Sequence, residues 1–159
     1  MEWNDKCDVE HSFRRIEELL NCGIFDLPNA THPLLRSAFI EVLICLRDLM
    51  YKTEKHVRRI DFTDDVTISG RVTDVSSLIK YVRDALCHLD SDNLKLEAGN
   101  RASFMVQFGK GEMQINNLVM SNPYEDDICF FFGSQKIFLK RHIHRALEEA
   151  RTALTPLLR

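Results

Sequence analysis

The chain has 159 residues, 45% of them apolar and 28% charged, with a formal net charge of −3. That length is enough to bury a real core in one domain, and the composition is ordinary for a soluble globular protein. The mildly acidic balance excludes a general cationic coat for nucleic acid, so any RNA contact must come from local basic patches. The five cysteines, Cys7, Cys22, Cys45, Cys87 and Cys129, are dispersed and form no Cys-x-x-Cys pair. They read as reduced thiols, not as a disulfide framework or a zinc site. The N-terminal Met1-Glu2-Trp3-Asn4-Asp5 is polar and acidic, unlike a signal peptide, and no apolar run is long enough to span a membrane. A cytoplasmic protein with no cofactor is expected.

A first helix is expected after Asp8, a good N-cap, with Val9, Phe13, Ile16 and Leu20 as its apolar stripe and Gly23 as its breaker. Residues 25–29 read as a connector punctuated by Pro28. Thr31 and Pro33 then open a long second helix, carried to Ile60 by Leu35, Ala38, Phe39, Val42, Leu43, Leu46, Leu49 and Met50 at three- and four-residue steps. Residues 61–70 contain three aspartates and end in Gly70, so they read as a loop. A third helix follows, capped by Thr73. Its stripe is Val75, Leu78, Ile79, Val82, Leu86 and Leu89, and the turn formers Asp90-Ser91-Asp92-Asn93 end it.

The period then shortens to two. Phe104, Val106 and Phe108 alternate, Gly109-Lys110-Gly111 reads as a turn, and Met113 and Ile115 resume the alternation. Asn122-Pro123 is a further break, and Gly133-Ser134 between two apolar runs is a hairpin signal. Residues 103–139 are thus expected to form a small antiparallel meander. A last helix is expected from Lys140 to Leu154, closed by Thr155-Pro156. The sum is a mainly α protein in one domain, 1–159: a four-helix bundle with a β-meander inserted before its last helix.

One stretch carries chemistry: Arg83-Asp84-Ala85-Leu86-Cys87-His88, at the end of the third helix. It supplies a cation for a phosphate, a carboxylate, and an imidazole able to move a proton. Five residues span about 140° around a helix, so Arg83 and His88 do not share a face. Asp84 and His88 are four apart and can touch, which would fix the imidazole tautomer and raise its pKa. The same residues also fit a plain ion-paired helix end, with His88 placed favourably at the C-terminal dipole.

This Arg-x4-His spacing in a helical setting resembles the HEPN family of all-helical RNases and RNA-binding domains. The resemblance extends to a helical bundle whose motif lies near the junction of its last two helices. It implies a metal-independent endoribonuclease in which the RNA 2′-hydroxyl attacks the adjacent phosphorus. His88 would be the acid–base residue, Arg83 the phosphate ligand, and Asp84 the group that orients them. It also implies a homodimer with a composite site, and a setting in a prokaryotic defence, stress or mobile-element module with a neutralising protein partner. Asp90 stands where the toxin–antitoxin branch usually has tyrosine, which weakens that subtype. The alternative is a non-catalytic HEPN-like module that binds RNA or a protein.

Two basic clusters are weaker candidates for an RNA backbone. Lys52, Lys55, Arg58 and Arg59 end the second helix, while Lys140, Arg141 and Arg145 enter the last one. A solvated helix face with dipole-compatible charge explains the first equally well. His142 and His144 diverge on a helix and make a poor metal pair. The run Phe130-Phe131-Phe132 must point to both faces of a strand, which favours packing over base stacking.

Overall fold

A computed structural model describes residues 1–87, 104–115 and 118–159. Four α-helices are present among these residues: α1 (Trp3–Asn21), α2 (Leu35–His56), α3 (Val75–Cys87) and α4 (Arg145–Leu158). Five antiparallel strands accompany them: β1 (Phe104–Phe108), β2 (Gly111–Ile115), β3 (Leu118–Asn122), β4 (Ile128–Phe132) and β5 (Gln135–Phe138). The fold is therefore α+β. The expected mainly α four-helix bundle is corrected by the two sheets, one of which forms a wall of the main core.

The strands do not form a simple meander either. Their order is β1-β4-β5 in one sheet and β2-β3 in the other. β1 pairs with β4 from Phe104↔Phe132 to Phe108↔Ile128, and β2–β3 is an excursion between them. Gly109, at φ +69°, bends the chain out of one sheet and into the other, while its N–H donates to Asp127 O at 3.0 Å. Asn122 closes the neck, its Nδ2 donating to Gly109 O at 2.8 Å and to Asp127 O at 2.9 Å. The signal at Gly133-Ser134 does make a hairpin, with Phe132↔Gln135 as its last pair and Gly133 at φ +60°.

Alternation sends the β1 and β4 side chains to two different cores. Phe130 and Phe132 face the helices, with Phe130 stacked on Phe39 at 4.0 Å between ring centroids and edge-on to Phe25 at 5.9 Å. Phe131 faces the other way and joins Met120, Cys129 and Phe138 under the β2–β3 excursion. All three phenylalanines are buried, so none is available to stack on a base. At about 1.5–3 kcal/mol per fully buried large apolar side chain, these layers are a major part of what holds the sheet to the helices.

Helix ends depart from expectation for identifiable reasons. Asp8 does not cap α1, which starts earlier. Its carboxylate instead receives Lys52 Nζ of α2 at 2.9 Å, with Asp48 on the other side at 3.0 Å. α1 does stop before Gly23, whose φ of +81° is the left-handed conformation glycine adopts cheaply. α3 is capped by Asp74, not Thr73: Asp74 Oδ1 accepts from Ser77 N at 2.7 Å, while Ser77 Oγ accepts from Asp74 N at 3.0 Å. This is a capping box with serine in the usual glutamate place. Pro156 does not close α4, which runs on to Leu158. Lys6 Nζ donates to the terminal carbonyls of Leu158 (3.4 Å) and Arg159 (2.9 Å).

Candidate functional site

The last turn of α3 positions two of the three residues singled out in the sequence. Arg83 lies at the margin of the buried stripe formed by Val75, Leu78, Ile79, Val82 and Leu86, and its side chain is 31% exposed. Its Nη1 donates to Asp84 Oδ1 at 2.8 Å. Asp84 also receives Lys80 Nζ at 2.8 Å from one turn earlier. Arg83 Nε is shut off from solvent and has no hydrogen-bond partner among the described residues. A buried guanidinium N–H without an acceptor carries a desolvation cost. His88 and Asp90 lie outside the described residues, as does Leu89.

The two basic clusters carry their own counter-charges. Lys52 is buried; burial alone pulls its ammonium down, yet the bonds from Asp8 and Asp48 outweigh this and hold its pKa above the ordinary value. Lys55 donates to Asp5 at 2.9 Å, and Arg58 meets Glu149 at 3.2 Å. Arg59 forks onto Asp74 at 2.9 and 3.0 Å and also reaches Glu54 at 2.9 Å. Its pKa is raised, chiefly by the Asp74 bond. Lys140 stands 3.6 Å from Asp126, Arg141 binds Asp127 and Asp126 at 2.9 and 3.0 Å, and Arg145 binds Asp64 at 2.8 Å. These seven cations form no open stripe of free positive charge.

A second polar centre, which the sequence did not announce, lies where the 61–66 loop meets the junction between β5 and α4. That junction, Leu139–His144, is a π-helical turn, a form that widens a helix to accommodate a local constraint. Its open N–H groups are gathered by the buried carboxylate of Asp127: Lys140 N donates at 2.8 Å and Arg141 N at 3.1 Å. Ile128 N adds a third amide bond at 2.8 Å. Arg141 also lies over the Tyr124 ring, 3.4 Å from its centroid, and the Tyr124 hydroxyl donates to Asp65 at 2.8 Å. Asp65 holds φ +59°, a strained value for a residue with a side chain. Asp127 was obscured in the sequence by its place in the acidic run Glu125-Asp126-Asp127, where nothing local says which acid turns inward.

Compared with protein-family models, curated proteins and solved structures, the chain matches none of them. Its chemistry is thus read from its own residues. No group of three or more metal-ligating side chains occurs among the described residues, and no described helix is long and apolar enough to cross a membrane. Burial pushes the Cys129 thiol up to about 12, which makes it inert as a nucleophile. A cleft of about 140 Å³ lies between Thr67, Ser121, Ser134 and Lys136. It is well below the size of an ordinary organic-ligand pocket.

Proposed function

We propose that the chain is a metal-independent endoribonuclease of HEPN type, acting at the end of α3. The observation that supports this reading is the state of Arg83: about a third exposed, braced by Asp84, and with a buried Nε–H that has no acceptor among the described residues. A phosphodiester oxygen is the kind of acceptor a guanidinium engages best. RNA brings its own nucleophile. In this reading His88 takes the 2′-hydroxyl proton as that oxygen attacks phosphorus. The bond from phosphorus to the 5′-oxygen breaks, and a second imidazole returns a proton to that oxygen. The products are a 2′,3′-cyclic phosphate and a 5′-hydroxyl. Arg83 stabilises charge on the non-bridging oxygens. The second imidazole is assigned to His88 of another copy, which makes the active species a homodimer.

The test is cleavage of total RNA in the presence of chelator by wild type, His88→Ala and Arg83→Ala. Loss of about two orders of magnitude in either variant, with cyclic phosphate ends from the wild type, is the expected result. Intact RNA with wild type across several substrates would sink the reading, and equal cleavage by all three proteins would sink the residue assignments.

A second reading, a non-catalytic binding module, is favoured by a different observation. Every cation of the two basic clusters has a carboxylate within 4 Å. An RNA backbone would have to displace those acids to gain the usual counterion-release affinity. The same pairing suits a protein partner better than a polyanion.

A further inference from the structure

His142 is wholly buried, yet it is one of the few polar side chains in the core. Its Nδ1 stands 3.2 Å from Phe138 N, and its Nε2 stands 3.0 Å from Asp64 O. A backbone N–H can only donate and a carbonyl oxygen can only accept. The imidazole is therefore neutral, with its proton on Nε2, and it ties the 61–66 loop to the end of β5. Phe138 packs edge-on at 5.3 Å and Phe62 of the loop tilts against the ring at 6.3 Å. A proton on Nδ1 would set two N–H groups against each other at hydrogen-bond distance.

We propose that His142 is an acid-released latch on the 61–66 loop, opening that loop on mild acidification while α2 stays closed. The surroundings are compatible with such a switch. The charges that act on the ring are Asp65 on the loop, Asp127 just before β4 and Lys136 on β5, while Asp64 meets it through its carbonyl and turns its carboxylate to Arg145. On the latch's own segment Arg141 and Arg145 are already engaged by acids, and Tyr124 is held by Asp65. Burial holds the imidazole below its ordinary value, against the bond to the Asp64 carbonyl and the pull of Asp65 and Asp127. His144, two residues on, is also lowered by desolvation, so it must be separated from His142 in any test.

The sign follows from this direction. A histidine whose folded pKa lies below its free value binds fewer protons when the latch is closed than when it is open. Closure is therefore fully favoured above the free value of about 6.5, and it weakens as pH falls from there toward the lower folded value. Within that window the open fraction rises about tenfold per pH unit. The loop also carries the Phe62 carbonyl that accepts from Val75 N at 3.0 Å, so release loosens the first turn of α3. It separates Asp64 from Arg145 as well, leaving that arginine only its pair with Glu149 at 3.3 Å.

Residue-resolved amide hydrogen exchange, corrected for intrinsic rates, tests this between about pH 7.5 and about pH 5. Wild type should lose protection at Phe138 and Val75 as pH falls, about tenfold per unit, with α2 unchanged. His142→Gln offers an acceptor and a donor but no titration, and should flatten the dependence, whereas His144→Gln should retain it. Flat protection in wild type would overturn the proposal, and so would an undiminished pH response in folded His142→Gln. If that variant does not fold, the wild-type ring resonances decide. A ring midpoint that coincides with loss of Phe138 protection supports the latch, and ring titration with the amides unmoved refutes it.

Discussion

The end of α3 and the junction between β5 and α4 both gather arginine and aspartate, yet they are built in opposite ways. At the end of α3, Arg83, Asp84 and Lys80 form a chain of short ion pairs that is open to solvent on one side, with one guanidinium N–H left over. At the junction, Asp127 is sealed from water and its oxygens are taken by three amides and Arg141. The first arrangement leaves a donor without a partner among the described residues. The second is complete and holds backbone. Charge clusters of similar composition thus divide by satisfaction, not by residue type.

That contrast can be broken by mutation, beginning at the junction. Asp127→Ala strips the acceptor from three half-buried amides and leaves Arg141 without its inner partner, so a loss of about 3–5 kcal/mol is expected in urea unfolding. A loss under about 1 kcal/mol would mean that water replaces the carboxylate and that the junction is not sealed. Asp74→Ala should cost about 1–2 kcal/mol, because it removes the α3 N-cap and half of the Arg59 fork. The Asp74 carboxyl is pushed up by burial but pulled further down by Arg59 and Ser77, so it stands below its usual value. Its contribution is present above the unfolded value of about 3.8 and should fade as pH falls through the lower folded one. The smallest effect is expected from Arg83→Ala, under about 1 kcal/mol, because the pair it breaks is solvent-screened. A near-neutral stability change combined with lost RNA cleavage would sharpen the contrast. A large stability loss would make Arg83 another structural cation.

The helices were legible because their apolar residues recur at helical spacing, and the α2 core positions follow that spacing without exception from Leu35 to Met50. The hairpin at Gly133-Ser134 was legible because its turn chemistry is local. β1–β4 pairing was not, because the Gly109-Lys110-Gly111 signal marks a bend without saying which strand comes next to β1. Asp8 illustrates a different failure. A carboxylate just before an apolar stripe is a fair N-cap signal, but only the arrangement of α1 against α2 shows that Lys52 occupies it. At the candidate site Arg83 follows Val82 in the helix and so falls on the margin of the buried stripe. The pairing of Asp84 with Lys80 follows from helical spacing. Asp127 and the bridging role of His142 depend on residues distant in the chain, and no pattern within one segment encodes them.

The neck formed by Gly109, Asn122 and Asp127 has a consequence for how this chain can vary in length. Both ends of the β2–β3 excursion are fastened at the neck, and the β1–β4 register is set beyond it by Phe104, Val106, Phe130 and Phe132 packing on the helices. A change of length between the neck residues Gly109 and Asn122 therefore leaves that register untouched. A single residue inserted into β1 would instead turn the inward side chains on one side of the insertion outward. The excursion is thus where the length of the chain can change, set on a sheet whose register cannot.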